Sequence, residues 1–299
     1  MFFFYDIDTI HNSLPSQRQK EGIFSHKSFW SLEGDNSTVV KDKQYNLTTL
    51  LKWFDPLQWQ DYLSLYTLFC QFSSYRCSTI QTEFSDNNYK EYYYALVALV
   101  TIEELEQRLI ISGKFDISVV IKKEKNKKRW YATKDIIVIN TTELSDQDFF
   151  EVLVHELWHT VDLKILQWTQ KELDKKFTEF WDPSFSLDDP SFQYYALSRE
   201  SEGIKKPLSN ITDFCSIYGS KNPFEDFSEC FNLYINHHDY FISLTQNNPI
   251  LLQKYQFIQS WIRQGKQYKN NSHNYSPDSS HRYRDSTKIA ISKLNITEL

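Results

Sequence analysis

The sequence predicts an α+β fold that is mainly helical, with a small β-sheet ahead of a central helix. Two short runs rich in β-branched residues, Ile117–Ile121 and Ile136–Ile139, indicate the strands. A helical period of apolar side chains over Tyr89–Ser112 indicates a long amphipathic helix. The chain has 299 residues, of which 40% are hydrophobic and 16% aromatic, so it can bury a sizeable core. This length suits one large domain or two modest ones.

The bulk charge and hydropathy of the chain argue against several classes of partner. The formal net charge of −6 gives no support for a nucleic-acid partner, which usually requires a basic domain. No stretch approaches the roughly 18 uninterrupted apolar residues of a spanning helix, so we expect no transmembrane segment. The aromatic run Met1–Tyr5 has no basic flank and ends at Asp6, so we expect no classical signal peptide in this chain. The sequence does not specify an oligomeric state, and a monomer is the default expectation.

Several elements are predicted ahead of the central helix. Residues 1–45 contain polar clusters and indicate irregular structure. An aromatic and leucine-rich stretch over 47–72 predicts helices, broken near Asp55-Pro56. Beyond the long helix, the two β-branched strands are predicted to form a hairpin or meander. The basic run Lys122–Arg129 between them indicates a solvated turn, and attraction of an acidic substrate or a phospholipid surface is the alternative.

The most informative motif lies on the helix that follows the second strand. Ser145 is a good N-cap, and Asp148 three residues later can complete a capping box. His155 and His159 are four residues apart, so both imidazoles project from one helical face and can reach one metal ion. Glu156 can contact a water held by that metal. This HExxH arrangement is typical of zinc peptidases, in which the glutamate is the general base. The alternative is two histidines that form hydrogen bonds inside an amphipathic helix.

A catalytic zinc ion takes three protein ligands and leaves one position for water, so a third ligand is needed. A metzincin would have a glycine and a histidine where this chain has Asp162 and Ile165, and that class is excluded. The remaining candidates are glutamates from later segments. They are Glu200, Glu202, Glu225 and Glu229.

A strong helix start favours the last two of these glutamates. Asn222 can cap a helix that has Pro223 at its first position. Glu225 and Glu229 then lie four residues apart on one face. In such a pair, one carboxylate can bind the metal and the other can accept a hydrogen bond from the free N–H of a ligand histidine. An acidic, solvated helix face is the alternative. The His237-His238 pair is expected at the surface near the end of this helix, and it is a further alternative as a ligand.

Three segments carry a specific resemblance: His155–Asp162, Ser216–Asn222 and Glu225–Phe231. Together they resemble the catalytic domain of the anthrax lethal factor-like (ATLF-like) family of gluzincins, which includes the Pro-Pro endopeptidases. The match covers residues 135–265, with no specific likeness over 1–90. The resemblance implies a zincin-like metallopeptidase domain with Zn²⁺ as its cofactor. It implies that the two histidines and Glu225 bind the zinc, that Tyr218 assists the oxyanion, and that Glu229 supports a ligand histidine.

Some features around the expected site leave alternatives open. Asp162, one turn beyond the second histidine, either orients a ligand or a backbone group or is an exposed helix residue. Trp158 replaces a small residue common in the family, and the chain ahead of Tyr218 is longer, so the family's substrates are not carried over. The spacing does not decide whether Cys70–Cys77 or Cys215–Cys230 forms a disulfide or remains as free thiols.

The HExxH motif and the resemblance predict a zinc metalloendopeptidase that acts on a protein or peptide substrate. By the resemblance alone, such a protein is a secreted or translocated bacterial effector or toxin. A catalytically inactive zincin-like protein used for binding, with helices over 47–112 as its docking surface, is the alternative. The intact HExxH motif, Tyr218 and Glu225 argue against that alternative. A structural zinc site is disfavoured because such sites are normally closed by a fourth protein ligand.

Three regions are expected along the chain. Residues 1–88 form a largely helical N-terminal region that packs on or precedes the catalytic domain. Residues 89–265 form the catalytic domain, in which a helix over Gln167–Trp181 lies in a long polar connection. Residues 266–299 form a polar, mobile tail.

Overall fold

The structure is a computed structural model, described over residues 59–72, 74–82, 90–109, 116–124, 130–133, 135–142, 144–166, 177, 189–262 and 284–289. Most of these residues are helical, and two small sheets accompany the helices. The predicted α+β class is therefore confirmed. None of the helices in the described ranges has the length and apolarity that a membrane span requires.

Several predictions fall outside the described residues. They are the irregular segment 1–45, the helix break at Asp55-Pro56, the boundary between residues 88 and 89, the helix Gln167–Trp181 apart from residue 177, and the tail over 266–283. Most of the basic turn, residues 125–129, also lies outside them.

The chain divides into two compact units. The first includes α1 (Trp59–Phe72), α2 (Ser74–Ser78) and the part of α3 (Lys90–Arg108) that ends at Val100. Within this unit, Tyr62 packs edge-on against Tyr93 with ring centroids 5.1 Å apart. A disulfide between Cys70 and Cys77 joins α1 to α2, which settles one of the two pairings that the sequence left open.

The second unit contains a four-stranded sheet ordered β1-β2-β4-β3. Its strands are β1 (Ile80–Thr82), β2 (Ser118–Lys122), β3 (Trp130–Ala132) and β4 (Ile136–Asn140). The predicted hairpin of the two β-branched runs is wrong, because β2 and β4 pair in parallel. The antiparallel partner of β4 is β3, a short edge strand that the sequence reading missed. Ile137, Val138 and Ile139 are all buried, and such an unbroken apolar run is typical of a parallel strand covered on both faces.

Among the described residues of the second unit, the end of α3 from Thr101 precedes β2, and five helices follow the sheet. They are α4 (Asp146–Thr160), which continues as a π-helix over Val161–Ile165, α5 (Ser191–Tyr195), α6 (Pro223–Asn236), α7 (His238–Thr245) and α8 (Pro249–Ser260). A small hairpin, β5 (Arg199–Ser201) and β6 (Ile204–Lys205), lies between α5 and α6. The part of the unit that the structure describes also has three 3₁₀ turns: Ile211–Asp213, Gly219–Lys221 and Ser286–Lys288.

The core of this unit surrounds α4. Every residue from Phe149 to Leu163 is buried, so this helix is covered on all sides. It contacts β3 and β4 on the sheet, α6, and the turn Ser286–Lys288. Residues 284–289 belong to the segment predicted as a polar tail, yet Ser286 and Thr287 are buried against these helices.

Candidate metal centre

The first part of the site is α4, whose start is fixed by a local motif. The Ser145 hydroxyl accepts a hydrogen bond from the backbone N–H of Asp148, and the Asp148 carboxylate accepts one from the backbone N–H of Ser145. This completes the predicted capping box. His155 and His159 then lie one turn apart, with ring centroids separated by 4.9 Å. Both side chains are buried, so their ring nitrogens need polar partners.

The second part of the site is α6, which begins where the sequence predicts. Asn222 Oδ1 accepts a hydrogen bond from the backbone N–H of Glu225 at 2.8 Å, and Pro223 occupies the first helical position. The ring of Trp158 on α4 stacks on that of Phe231 on α6, with centroids 3.7 Å apart. This contact sets the separation of the two helices and brings Glu225 to the histidines. Trp158 is fully buried and belongs to the core.

Three side-chain atoms converge between α4 and α6. His155 Nε2 lies 3.1 Å from Glu225 Oε2 and 3.2 Å from His159 Nε2. His159 Nε2 lies 3.5 Å from Glu225 Oε2. The ligand atoms of a tetrahedral zinc ion, with bonds of about 2.0–2.1 Å, lie about 3.3 Å from one another. The three observed separations bracket that value, and two imidazoles with a carboxylate are ligand types that zinc accepts. The residues present therefore fit a zinc ion.

Glu229 approaches His155 from the opposite side of its ring. Glu229 Oε1 lies 3.0 Å from His155 Nδ1, and the carboxylate is fully buried. Burial lowers the pKa of His155, but the carboxylates of Glu225 and Glu229 outweigh burial and raise that pKa to about 10. Burial would raise the pKa of Glu225, yet its contacts with His155 and His159 hold that pKa well below the usual range. In the metal-free protein His155 is thus in its charged form, with a proton on each ring nitrogen, and a bound metal ion would displace one of these protons.

Tyr218 lies at the more exposed edge of this centre. Its hydroxyl donates a hydrogen bond to Glu225 Oε1 at 2.8 Å, and its ring centroid lies 6.3 Å from that of His155. The adjacent Gly219 makes this position possible, because a Cβ there would lie 2.9 Å from Asp226 Cα on α6. Burial and the nearby Glu225 carboxylate raise the pKa of Tyr218, so its hydroxyl keeps its proton and can donate.

Glu156 is buried beside the two histidines. Burial raises the pKa of its carboxyl group, and the charges of His159 and His155 oppose that increase. A backbone hydrogen bond from Ala132, on the edge strand β3, also favours the charged form. A carboxylate with a raised pKa is suited to take a proton from water and release it in a later step.

Asp162 is buried on the π-helical turn that continues α4. Its two carboxylate oxygens accept hydrogen bonds from the hydroxyls of Ser191 and Tyr195, both on α5. The interpretation as an exposed helix residue is therefore wrong. Asp162 connects the end of the HExxH helix to α5.

The other candidate ligands lie elsewhere. Glu200 is exposed on β5, and Glu202 lies in the following turn, where its carbonyl accepts a hydrogen bond from Arg199 Nη1 at 3.0 Å.

The prediction that His237 and His238 are at the surface is wrong, since both are buried. Helix α6 ends against α4 there, and His237 Nε2 lies 3.0 Å from Glu151 Oε2.

His238 contacts α8 instead, with its Nε2 3.3 Å from the Tyr255 hydroxyl. Within the described residues, the group on α4 and α6 that could hold a metal ion therefore consists of His155, His159 and Glu225.

A buried ion pair that no sequence motif indicates anchors the start of α6. Lys254 Nζ donates to Asp226 Oδ2 at 2.5 Å and to the carbonyl oxygen of Asp213 at 2.6 Å. Lys254 and Asp226 are both buried. One sequence signal could have revealed this ion pair. Lys254 lies at helical spacing from the apolar Leu251 and Ile258, so it falls on the buried face of α8, and a buried lysine requires a charged partner.

A second disulfide lies close to the centre. It joins Cys215, three residues before Tyr218, to Cys230, which directly follows Glu229 on α6. Cys215, Cys230 and Asp226 are close enough together to suggest another metal site. Because both sulfurs are in the disulfide, this group lacks the thiolates that a metal would need.

The centre combines three functions in one place. It offers three convergent ligands for a divalent cation, a buried carboxylate that can take a proton, and a tyrosine hydroxyl that can donate a hydrogen bond. Metal-assisted hydrolysis of an acyl group requires these functions. Comparisons with family models, with curated proteins and with solved structures found no match to this chain.

Proposed function

We propose that this chain is a zinc-dependent endopeptidase with a zincin-like catalytic domain of the lethal factor-like gluzincin type. The observation that supports this most is the triangle formed by His155 Nε2, His159 Nε2 and Glu225 Oε2, with sides of 3.1, 3.2 and 3.5 Å. Three lone-pair atoms this close in a buried site need a shared cation, and in the metal-free protein the proton on His155 supplies it. A zinc ion would satisfy all three.

The chain's own groups can perform the remaining chemistry. His155, His159 and Glu225 would hold the zinc, which when bound supplies Lewis-acid activation of a water molecule and of the scissile carbonyl. Glu156 takes a proton from the attacking water on its carboxylate and passes it to the nitrogen of the leaving amine. Tyr218 donates a hydrogen bond to the oxyanion, and the loss of one such donor commonly costs about 3 kcal/mol.

The substrate is proposed to be a protein or peptide, and the protein to be secreted or translocated into a host cell. The toxin or effector role rests on the sequence resemblance alone. The disulfides Cys70–Cys77 and Cys215–Cys230 support an oxidising compartment, because disulfides are rare in proteins of the reducing cytosol.

A peptide-library assay with and without a chelator tests the activity. We expect cleavage that the chelator abolishes and that added Zn²⁺ restores. We expect Glu156→Gln to keep the zinc content of the wild type while hydrolysis is lost, since the amide cannot accept the proton from water. Cleavage that persists in Glu156→Gln would remove Glu156 from the general-base role. Absence of cleavage by the wild type, with one zinc bound, would favour the inactive binding protein instead.

The ligand assignment is tested by elemental analysis of three variants. Glu225→Ala should lose zinc, and Glu229→Ala should only bind it more weakly. Glu200→Ala is the matched control, because this carboxylate is exposed on β5. Equal zinc content in the wild type and in Glu225→Ala would show that another residue is the third ligand.

A further inference from the structure

The short segment Arg284–Ile289 forms hydrogen bonds with helix α6 and with the Tyr218 turn of the candidate centre. The backbone N–H of Ser286 donates to Glu229 Oε2 at 2.6 Å. The backbone N–H of Tyr218 donates to the carbonyl oxygen of Arg284 at 2.8 Å. The Ser286 hydroxyl accepts a hydrogen bond from Asn232 Nδ2 at 3.0 Å. The segment thus contacts the Glu229 carboxylate of α6 and the Tyr218 turn at the same time.

The contact with Glu229 matters because of what this carboxylate does. Glu229 is fully buried, and a buried carboxylate needs donors on its oxygens. One oxygen, Oε1, lies 3.0 Å from His155 Nδ1, and the other, Oε2, accepts from the Ser286 N–H. A proton on Nδ1 directed at Glu229 leaves Nε2 of His155 as the atom that faces the metal position. The orientation of the Glu229 carboxylate therefore determines the tautomer and the tilt of the imidazole.

The segment also has its own local restraint. Asp285 Oδ1 accepts hydrogen bonds from the backbone N–H of Thr287 at 2.9 Å and from its hydroxyl at 2.6 Å. Asp285 thereby caps the 3₁₀ turn Ser286–Lys288 and directs the Ser286 N–H away from the turn, toward α6. Ser286 and Thr287 are buried, so this turn is packed in place.

We propose that Arg284–Ile289 is a positioning segment of the metal centre: the Ser286 N–H orients Glu229, Glu229 orients His155, and the Arg284 carbonyl holds the Tyr218 turn. This inference rests on the proposed zinc function. It makes a segment of the polar C-terminal region part of the site, across 57 residues of sequence from Glu229.

One substitution removes the N–H and leaves a backbone that proline tolerates. Ser286 is the first residue of its turn, where proline is accepted, and Asp285 before it is extended with φ −153° and ψ 128°. Ser286→Pro loses the N–H, whereas Ser286→Ala keeps it, and both lose the hydroxyl. We expect Ser286→Pro in the full chain to bind Zn²⁺ about 10- to 100-fold more weakly than Ser286→Ala, in competition with a chromophoric chelator.

The loss of affinity should act through Glu229. In the Glu229→Ala background, the further change Ser286→Pro should have little additional effect on Zn²⁺ affinity, because the acceptor is already gone. A purely structural role would instead give independent, additive losses. The d–d absorption spectrum of the Co²⁺-loaded protein supplies a second readout, since a tilted His155 should change it in Ser286→Pro relative to Ser286→Ala.

A second pair of variants decides the matter if Ser286→Pro does not fold. Asp285→Ala removes the cap of the turn, and Asp285→Asn keeps an acceptor oxygen. We expect Asp285→Ala to bind Zn²⁺ more weakly than Asp285→Asn. Equal affinities within both pairs, in a protein whose wild type binds Zn²⁺, would overturn the positioning role alone. A wild type that binds no Zn²⁺ would overturn the proposed function itself.

Discussion

Gly219→Ala tests whether close packing of the Tyr218 turn against α6 matters for catalysis. A Cβ at Gly219 would lie 2.9 Å from Asp226 Cα and 3.2 Å from Asp226 Oδ1, whereas ordinary contacts begin at 3.4 Å. The nearer atom is backbone in the first turn of a buried helix, so it cannot rotate away. The turn must therefore move outward, and a shift of about 0.5 Å, the difference between 2.9 and 3.4 Å, restores an ordinary contact.

The displacement should appear in catalysis more than in metal binding. The Tyr218 hydroxyl now lies 2.8 Å from Glu225 Oε1, and a shift of this size directed away from Glu225 takes it past the usual range of an O–H···O hydrogen bond, which ends at about 3.0 Å. A misplacement of about 1 Å can cost about 100-fold in rate, so we expect kcat/KM to fall about 10- to 100-fold. The displaced turn does not carry His155 or His159, the proposed zinc ligands on α4, so zinc affinity should change little. Overpacking should lower the free energy of unfolding by about 1–3 kcal/mol.

The assay compares kcat/KM on the best library peptide, zinc affinity and urea unfolding. Gly203→Ala is the matched control, because a Cβ there meets nothing within 4 Å. Tyr218→Phe sets the scale for complete loss of the hydroxyl. If Gly219→Ala matches Gly203→Ala in kcat/KM while Tyr218→Phe loses about 100-fold or more, the reasoning is refuted.

Two further predictions concern stability. Lys254→Met leaves the Asp226 carboxylate buried without its ion-pair partner, so the free energy of urea unfolding should fall by about 3–5 kcal/mol, with the exposed Lys206→Met as control. A loss below about 1 kcal/mol would show that the pair is not needed. In the metal-free protein, the folded-state pKa of His155 is raised from 6.5 to about 10, despite burial, by the carboxylates at its two ring nitrogens. Its contribution to stability is present below about pH 6.5 and is lost as the pH rises toward about 10, so chelator-treated protein should unfold more easily across this window. A free energy of unfolding that does not change between about pH 6.5 and 10 would contradict the charged state of His155.

The parts of the site that the sequence predicted are those determined by short-range rules. The capping box at Ser145 fixes the start of α4 and hence the facing of His155 and His159. Asn222 and Pro223 likewise fix the start of α6. Once both helix starts are fixed, helical spacing alone decides which side chains share a face.

The remaining parts depend on packing between distant segments. The direction of β2 relative to β4 is set by how the intervening chain crosses the sheet, and two β-branched runs carry no signal for it. His237 is polar and follows the last turn of α6, but the approach of Glu151 from α4 buries it. The N–H that reaches Glu229 comes from a polar segment without an apolar period, so its burial could not be inferred from composition.

The three carboxylates near the start of α6 show how one helix carries these separate tasks. Glu225 and Glu229 are four residues apart and share the face toward His155, whereas Asp226, one residue on, points about 100° away toward Lys254. The N-terminal end of a helix favours negative charge on Glu225 and Asp226. Burial raises the pKa of Asp226, and the charge of Lys254 opposes that increase. Because the ion pair with Lys254 restrains α6 on a second face, it limits rotation of the helix about its own axis. The angular setting of the two carboxylates that contact His155 is thus restrained from two faces of α6.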